Sequence, residues 1–300
     1  MWSVPARRWP LTPRPRPERR AAARAGLRAA LAVSLAALLA GCLPVERMFF
    51  YPDARSYTAP AQFGLAHEDV WLTAADGSRL HAWWLPARQQ PAAGTVLHLH
   101  GNAANVSNHL PLVAWLPEQG FNVLMLDYRG FGRSEGRPTL DGVVEDAQAA
   151  LRALRARPGV DADRLIVIGH SLGAATALRL LAADSAGVRL AVLDAPFASY
   201  RGIARDAAGG TALAPLLPLA LPALPAEDRD PVTAAARLDL PLLILHGDAD
   251  TVIPPAHSQQ IAQAAKNAQL IVVPGAGHLQ TFDDPQLRAQ IARAMQAALR

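Results

Sequence analysis

Cysteine is almost absent from this 300-residue sequence, in which Cys42 is the single example. One cysteine cannot form an internal disulfide, so a disulfide-stabilised scaffold is excluded. The sequence also lacks cofactor motifs, since no His, Cys or Asp cluster has zinc-site spacing and neither a Gly-x-Gly-x-x-Gly loop nor a Walker motif occurs. We therefore expect a protein that works without a metal ion or a bound cofactor.

The main part of the chain also lacks a basic region. Eight arginines and one glutamate give residues 1–41 a charge of +7, which leaves −3 for the rest of a chain whose total is +4. Because the positive charge is confined to the N-terminus, the sequence does not predict a nucleic-acid-binding surface.

The N-terminus has no apolar run long enough to span a bilayer. Its apolar stretch, residues 29–40, is 12 residues long, whereas a spanning helix takes about 20. The following LAGC, which ends at Cys42, resembles the lipobox of bacterial lipoproteins, in which the cysteine is lipidated after cleavage.

That resemblance predicts a signal peptide over residues 1–41, a lipidated Cys42, a tether over residues 42–64 and attachment to a membrane of the bacterial cell envelope. Leu43 stands where an inner-membrane lipoprotein would carry Asp, which favours the outer membrane. A buried free cysteine is the alternative interpretation.

Beyond residue 64, short apolar runs alternate with helical patterns. Residues 67–87 predict a hairpin of two strands. Six further strands are predicted at residues 95–100, 122–127, 165–169, 189–194, 241–247 and 268–275. Strands that alternate with helices predict an α/β fold, here one domain over residues 65–300 with a mostly parallel eight-stranded sheet flanked by helices.

A long insertion interrupts this alternation at about residues 196–236. It contains an apolar, proline-rich stretch at residues 211–225. Loops longer than about 15 residues inside a compact domain are usually functional or disordered, and this one is too apolar for disorder. We interpret it as a short cap over the strand ends; a linker or a membrane-contacting strip is the alternative.

Ser171 lies between a buried strand and a helix, in the sequence GHSLG. Gly169 and Gly173 remove side chains that would collide across so tight a turn. This is the setting of a nucleophile elbow, which exposes the serine hydroxyl above the sheet edge. Ser171 is therefore the candidate nucleophile.

A serine nucleophile needs a histidine base and a carboxylate that orients it. In the chain order Ser, acid, His, the base is His278, which follows the last strand in the glycine-rich sequence GAGH. Three carboxylates remain candidates for the acid: Asp194 at a strand end, and Asp248 and Asp250 in the sequence HGDADTVIP.

Together these three motifs resemble those of the α/β-hydrolase superfamily, over about residues 65 to 300. The resemblance implies an α/β-hydrolase fold in which Asp250 orients His278. It leaves Asp194 as the position that some lipases use and Asp248 as a turn residue. We interpret His100, His170 and His246, which lie within the motifs, as positioning or site-wall residues.

The oxyanion formed during ester cleavage requires backbone N–H donors. One is expected at Leu172, directly after the nucleophile, and the other at the main chain of Asn102, in the sequence HGNAANVSNH. That loop is similar to one in the branch containing membrane-anchored acyl-protein thioesterases and related bacterial hydrolases. The sequence DYRGFGRSEG, at residues 127–136, is also characteristic of the superfamily, and we interpret it as a structural turn.

These features predict a serine hydrolase that cleaves carboxylic esters or thioesters through an acyl-enzyme on Ser171. The apolar cap favours short- to medium-chain acyl groups, so the expected partner is a small or lipid-like acyl substrate. The alternatives are an aminopeptidase or amidase of the same fold and a non-catalytic envelope lipoprotein.

Overall fold

The computed structural model describes residues 49–209, 211 and 214–300. The predicted signal peptide, Cys42 and the first part of the predicted tether lie outside these residues. Eight strands form the main sheet: β1 (Glu68–Thr73), β2 (Arg79–Leu85), β3 (Gly94–Leu99), β4 (Phe121–Leu126), β5 (Leu165–His170), β6 (Val188–Asp194), β7 (Leu242–Gly247) and β8 (Ala268–Val273).

Helices connect or flank these strands. They are α1 (Val106–Val113), α2 (Gly142–Ala156), α3 (Leu172–Ala183), α4 (Tyr200–Ala208), α5 (Leu217–Ala220), α6 (Pro231–Ala236), α7 (Ala256–Ala264) and α8 (Pro285–Ala298). None of the helices in the described part of the chain is long and apolar enough to cross a membrane.

The strand order in the sheet is β8-β7-β6-β5-β3-β4-β2-β1. Strands β3 to β8 pair in parallel, whereas β2 pairs antiparallel with both β1 and β4. The predicted sheet, with eight mostly parallel strands and a hairpin at its start, is confirmed. Parallel pairing places the carboxyl ends of β3 to β8 at one edge, where α/β proteins bind ligands.

The central strands are buried because helices cover both faces of the sheet. Every residue of β5 is buried. Its side chains alternate, so that Leu165 and Val167 belong to one apolar cluster and Ile166 and Ile168 to the other. This explains why the strand is a continuous apolar run in the sequence.

The described residues of the insertion after β6 include the helices α4 to α6 and three short 3₁₀ helices, Ala214–Leu216, Leu221–Ala223 and Glu227–Arg229. The two ends of the insertion meet, since Tyr200 N donates to Asp230 Oδ1 at 3.0 Å and Val232 N donates to Ala198 O at 3.0 Å. The segment therefore leaves and re-enters the domain at one place, on the carboxyl side of the sheet.

The folded domain begins earlier than the predicted boundary at residue 65. Phe50 is buried in the core, where its ring packs edge-on against Phe131 at 6.3 Å between centroids. Tyr51–Pro52 forms a short parallel pair with Ala103–Ala104. The difference arises because aromatic side chains in the expected tether find apolar partners that only the folded domain provides.

Candidate active site

Ser171 occupies a strained turn at the carboxyl end of β5. Its backbone has φ 54° and ψ −115°, immediately before the first residue of α3. A residue with a side chain pays about 1–3 kcal/mol to adopt such a conformation, which persists only where the surroundings enforce it. One enforcing contact is the hydrogen bond that Ser171 N donates to Asp194 O at 2.8 Å.

Glycine is required on both sides of this turn. A Cβ on Gly169 would lie 2.4 Å from the carbonyl oxygen of Gly173, and a Cβ on Gly173 would lie 2.0 Å from the carbonyl oxygen of Leu99. The strand, the helix and the end of β3 therefore approach one another more closely than any side chain allows. The two glycines that mark the motif have the packing role expected of them.

Asp250 and His278 meet above the carboxyl ends of β7 and β8. His278 Nδ1 donates to Asp250 Oδ2 at 2.7 Å, and the imidazole is about one-fifth exposed. Because an ionised carboxylate only accepts hydrogen bonds, this contact places an imidazole hydrogen on Nδ1, and in the neutral ring Nε2 then carries the lone pair. A histidine in that tautomer can accept a proton from a serine.

The carboxylate of Asp250 is held in its ionised form. Burial raises its pKa, but hydrogen bonds from His246, His278 and the backbone N–H of Ile253 outweigh burial and lower the pKa below its ordinary value. Asp250 Oδ1 accepts from Val252 N at 2.8 Å and from Ile253 N at 2.9 Å. These bonds fix the carboxylate in one orientation.

The other two candidate acids have different partners. Asp248 Oδ1 accepts a hydrogen bond from Gly275 N at 2.6 Å, which joins the loops that carry Asp250 and His278. Asp194 is fully buried and binds His170 Nδ1 at 3.0 Å and Thr281 Oγ1 at 2.7 Å. Of the three carboxylates, Asp250 is the one whose hydrogen bond reaches His278.

Asp194 links the serine turn to the histidine loop. Its backbone oxygen accepts from Ser171 N, while its carboxylate bonds His170, directly before the serine, and Thr281, three residues after His278. A single buried side chain therefore fixes the two loops relative to each other.

The predicted oxyanion donors follow adjacent strands. Leu172 N–H belongs to the first turn of the 12-residue helix α3, where backbone N–H groups have no partner inside the helix and the helix dipole favours negative charge. Asn102 lies in the loop after β3, which pairs with β5 through contacts such as Leu99 with Gly169. Both candidate donors thus lie at the edge of the sheet that carries Ser171.

Four buried histidines pack behind this edge: His98, His100, His109 and His170. Burial lowers the pKa of His98, His100 and His109, so these rings are neutral. His100 Nδ1 donates to Gly101 O at 2.7 Å, and His246 donates from Nε2 to Ile253 O at 2.9 Å. Across the described residues, no group of three potential ligands is arranged to hold a metal ion.

Sequence reasoning missed two residues that organise the site. Asn105 caps α1 and accepts from Ser107 N at 2.9 Å; an asparagine before a helical pattern was the available signal. Thr281 had no signal of its own, because its partner Asp194 is 87 positions away in the chain.

The contacts of Asp127 support the structural interpretation of the DYRGFGRSEG turn. Asp127 accepts a hydrogen bond from Val106 N at 2.9 Å and binds His81 at 2.9 Å.

Comparison with known proteins places this chain in a family. The protein family described as "Serine aminopeptidase, S33" matches residues 90–234 and 229–285 of the chain. The chain is 40% identical over 241 residues to the uncharacterized protein YfhR of Escherichia coli strain K12, covering 79% of this chain and 81% of that protein. It is 35% identical over 246 residues to the alpha/beta hydrolase domain-containing protein WAV2 of Arabidopsis thaliana, covering 76% and 78%.

Solved structures agree on the fold. The Pyrococcus furiosus esterase Pf2001 superposes with a TM-score of 0.69 at 22% identity, covering 84% of this chain and 97% of that one. Acetyl xylan esterase 1 from Thermoanaerobacterium sp. gives a TM-score of 0.59 at 20% identity, covering 82% and 86%. The predicted α/β-hydrolase fold is confirmed: the chain belongs to this serine aminopeptidase family, and the protein is an α/β-hydrolase enzyme.

Proposed function

We propose that the protein is a serine hydrolase that cleaves carboxylic esters or thioesters through an acyl-enzyme on Ser171. The hydrogen bond from His278 Nδ1 to Asp250 Oδ2 is the observation that carries the proposal, because it leaves His278 Nε2 free to act as a base. His278 takes the Ser171 proton as the hydroxyl oxygen attacks the acyl carbon, and then gives that proton to the leaving group. Water activated by His278 releases the acid and restores Ser171.

The oxyanion of each tetrahedral intermediate is bound by the backbone N–H groups of Leu172 and Asn102. Preorganised donors of this kind are worth about 10²–10³ in kcat each. The position of Leu172 as the first residue of α3 supports its role, and the position of Asn102 beside the end of β5 supports the second donor.

The substrate is proposed to carry a short- to medium-chain acyl group. The cap follows β6 and therefore starts at the edge of the sheet that carries the site, and residues 211–225 contain almost only Leu, Ala and Pro. An apolar wall there would bury acyl methylenes, each worth about 0.8 kcal/mol when removed from water.

The location is proposed from the N-terminal sequence alone. A lipid on Cys42 would hold the enzyme at a membrane of the bacterial envelope, and Leu43 favours the outer membrane. Acylated membrane components would then lie within reach of the site.

The test is labelling by a fluorophosphonate together with turnover of p-nitrophenyl esters. We expect wild-type protein to be labelled and to turn over the esters. Ser171→Ala should lose labelling, and its kcat should fall about 10⁴- to 10⁶-fold. Labelling of Ser171→Ala at the wild-type rate would contradict the assignment. Wild-type protein that neither reacts with the probe nor turns over any ester would instead favour a non-catalytic lipoprotein.

An aminopeptidase is the second candidate, and the description of the matching family favours it. The same residues can cleave an amide, since the proton that His278 carries then leaves with the amine. Aminoacyl p-nitroanilides assayed beside the esters separate the two, and a higher kcat/KM on the anilides would select the aminopeptidase.

A further inference from the structure

The first described segment of the chain lies along the loop that carries Asn102. We call residues 49–58 the strap and residues 101–105 the oxyanion loop. Tyr51 N approaches both oxygens of Asn102, the side-chain Oδ1 at 3.1 Å and the carbonyl O at 3.4 Å. Asp53 N donates to Ala104 O at 3.4 Å.

Asn105 joins the two segments through a buried side chain that is 3% exposed. Its Nδ2 donates to Asp53 O and to Arg55 O, both at 2.8 Å. Its Oδ1 accepts from the backbone N–H of Ser107 at 2.9 Å and from the Ser107 hydroxyl at 2.5 Å. All four hydrogen-bonding positions of the amide are used, so the side chain has one orientation and the strap one position.

Both ends of the strap are also anchored. Phe50 is buried in the core against Phe131, and Gly132 N donates to Asp53 O at 3.0 Å. At the other end, Tyr57 N donates to Ser107 Oγ at 3.0 Å, and the Thr58 hydroxyl donates to Ser107 O. The strap is therefore also held by residues outside the oxyanion loop and can support that loop.

The oxyanion loop needs external support because its backbone is strained. Ala104 has φ 66°, in the left-handed region that disfavours a residue with a Cβ. Its carbonyl and that of Asn102 are bonded by the strap. If those contacts are lost, we expect the loop to relax towards a less strained backbone. The direction of the Asn102 N–H changes with that relaxation.

We infer that the strap positions the oxyanion hole, with Asn105 as the residue that holds strap and loop together. The inference rests on the proposed function, because it assigns to Asn102 N–H a contact with the oxyanion. Asn105 and the strap are positioning residues: they act on the transition state through Asn102. Displacement of a catalytic group by about 1 Å can cost about 10²-fold in rate.

The test compares two asparagine-to-aspartate variants of the full chain. Asn105→Asp keeps the shape and the acceptor for Ser107 N but loses both donors to the strap. Asn122→Asp is the matched control: Asn122 is 4% exposed, accepts from Ala87 N at 3.0 Å and donates to Thr95 Oγ1 at 3.2 Å. It lies on β4, near the end of the sheet opposite the site.

For Asn105→Asp we expect kcat on a short-chain p-nitrophenyl ester to fall about 10- to 100-fold with KM changed less than about threefold, as for a lost transition-state contact. The inhibition constant of a trifluoromethyl ketone, whose adduct with Ser171 carries an oxyanion, should rise by the same factor. Asn122→Asp should keep kcat within about threefold at a similar loss of Tm. Equal kcat in the two variants would overturn the inference and leave the strap a purely structural element.

A second variant covers the case in which Asn105→Asp does not fold. Ser107→Ala removes the acceptor for Tyr57 N and should lower kcat about three- to tenfold; wild-type kcat in that variant would refute the inference. Amide hydrogen exchange adds a readout independent of turnover, since residues 101–105 should exchange faster in the strap variants only. Wild-type protein without Ser171-dependent turnover would overturn the proposed function, and the exchange rates would then still show whether the strap holds the loop.

Discussion

Replacing Asp250 with asparagine gives the sharpest test of the site, because the structure separates the roles of its two oxygens. Oδ1 accepts from Val252 N and Ile253 N, and an asparagine oxygen can keep both bonds. Oδ2 accepts from His278 Nδ1 at 2.7 Å, and this oxygen becomes an NH₂ group. The variant therefore keeps the loop bonds at Oδ1 and changes the contacts at Oδ2, with His278 Nδ1 and with His246 Nε2 at 3.4 Å.

An amide NH₂ donates where the carboxylate accepted. His278 must then present a lone pair at Nδ1, which puts its hydrogen on Nε2, and in that tautomer it cannot take the Ser171 proton. The same change in a related triad lowers kcat about 10⁴-fold, which corresponds to about 5.4 kcal/mol of activation free energy. We expect a loss of that size in kcat and in kcat/KM for Asp250→Asn.

Asp248→Asn and Asp194→Asn are the matched controls. Asparagine at position 248 can still accept from Gly275 N, so kcat should stay within about threefold. Asparagine at position 194 can keep the bond from Thr281 but not the one from His170. That variant should mainly lower Tm, with a loss of kcat below about tenfold.

The assay measures kcat on p-nitrophenyl butyrate and the rate of fluorophosphonate labelling, with Tm recorded for each variant. A larger loss at Asp194 than at Asp250 would move the acid to the end of β6 and refute the tautomer argument.

Stability gives a second readout of the role of Asp250. The folded-state pKa of Asp250 lies below the ordinary value, so its ionised form stabilises the protein above about pH 4 and this contribution is lost as the pH falls through the folded pKa. Asp250→Asn should therefore weaken the fall of Tm on acidification.

Three further predictions concern the elbow, the cap and the leader. Gly173→Ala should lower the free energy of unfolding, measured by urea denaturation, by about 1–3 kcal/mol, because the new Cβ would lie 2.0 Å from Leu99 O. Unchanged stability would contradict the close packing. Ester kcat/KM should rise about fourfold per acyl carbon from two to about six or eight carbons, and deletion of residues 211–225 should flatten that profile, whereas a flat profile in the intact protein would rule out the acyl wall. Cys42→Ser should leave an unlipidated, uncleaved precursor by mass spectrometry; normal processing would disprove lipidation at that residue.

The sequence by itself determined the sheet and the location of the candidate nucleophile. Strands such as β5 are continuous apolar runs because helices cover both faces of the sheet, and the alternation of such runs with helical patterns is visible without any tertiary information. Gly169 and Gly173 identified the turn at Ser171 because a close backbone approach leaves a local signature, the absence of side chains. Chain order then identified His278 as the candidate base.

Only the tertiary structure decided which side chains meet. Asp248 and Asp250 are two positions apart in one loop, yet one bonds Gly275 N and the other bonds His278. The supporting contacts, Asp194 with Thr281 and Asn105 with Asp53, join positions 87 and 52 residues apart. Local sequence sets backbone preference over a few residues, whereas the direction of a side chain and the identity of its partner depend on strand pairing and loop packing, which bring distant segments together only in the folded chain.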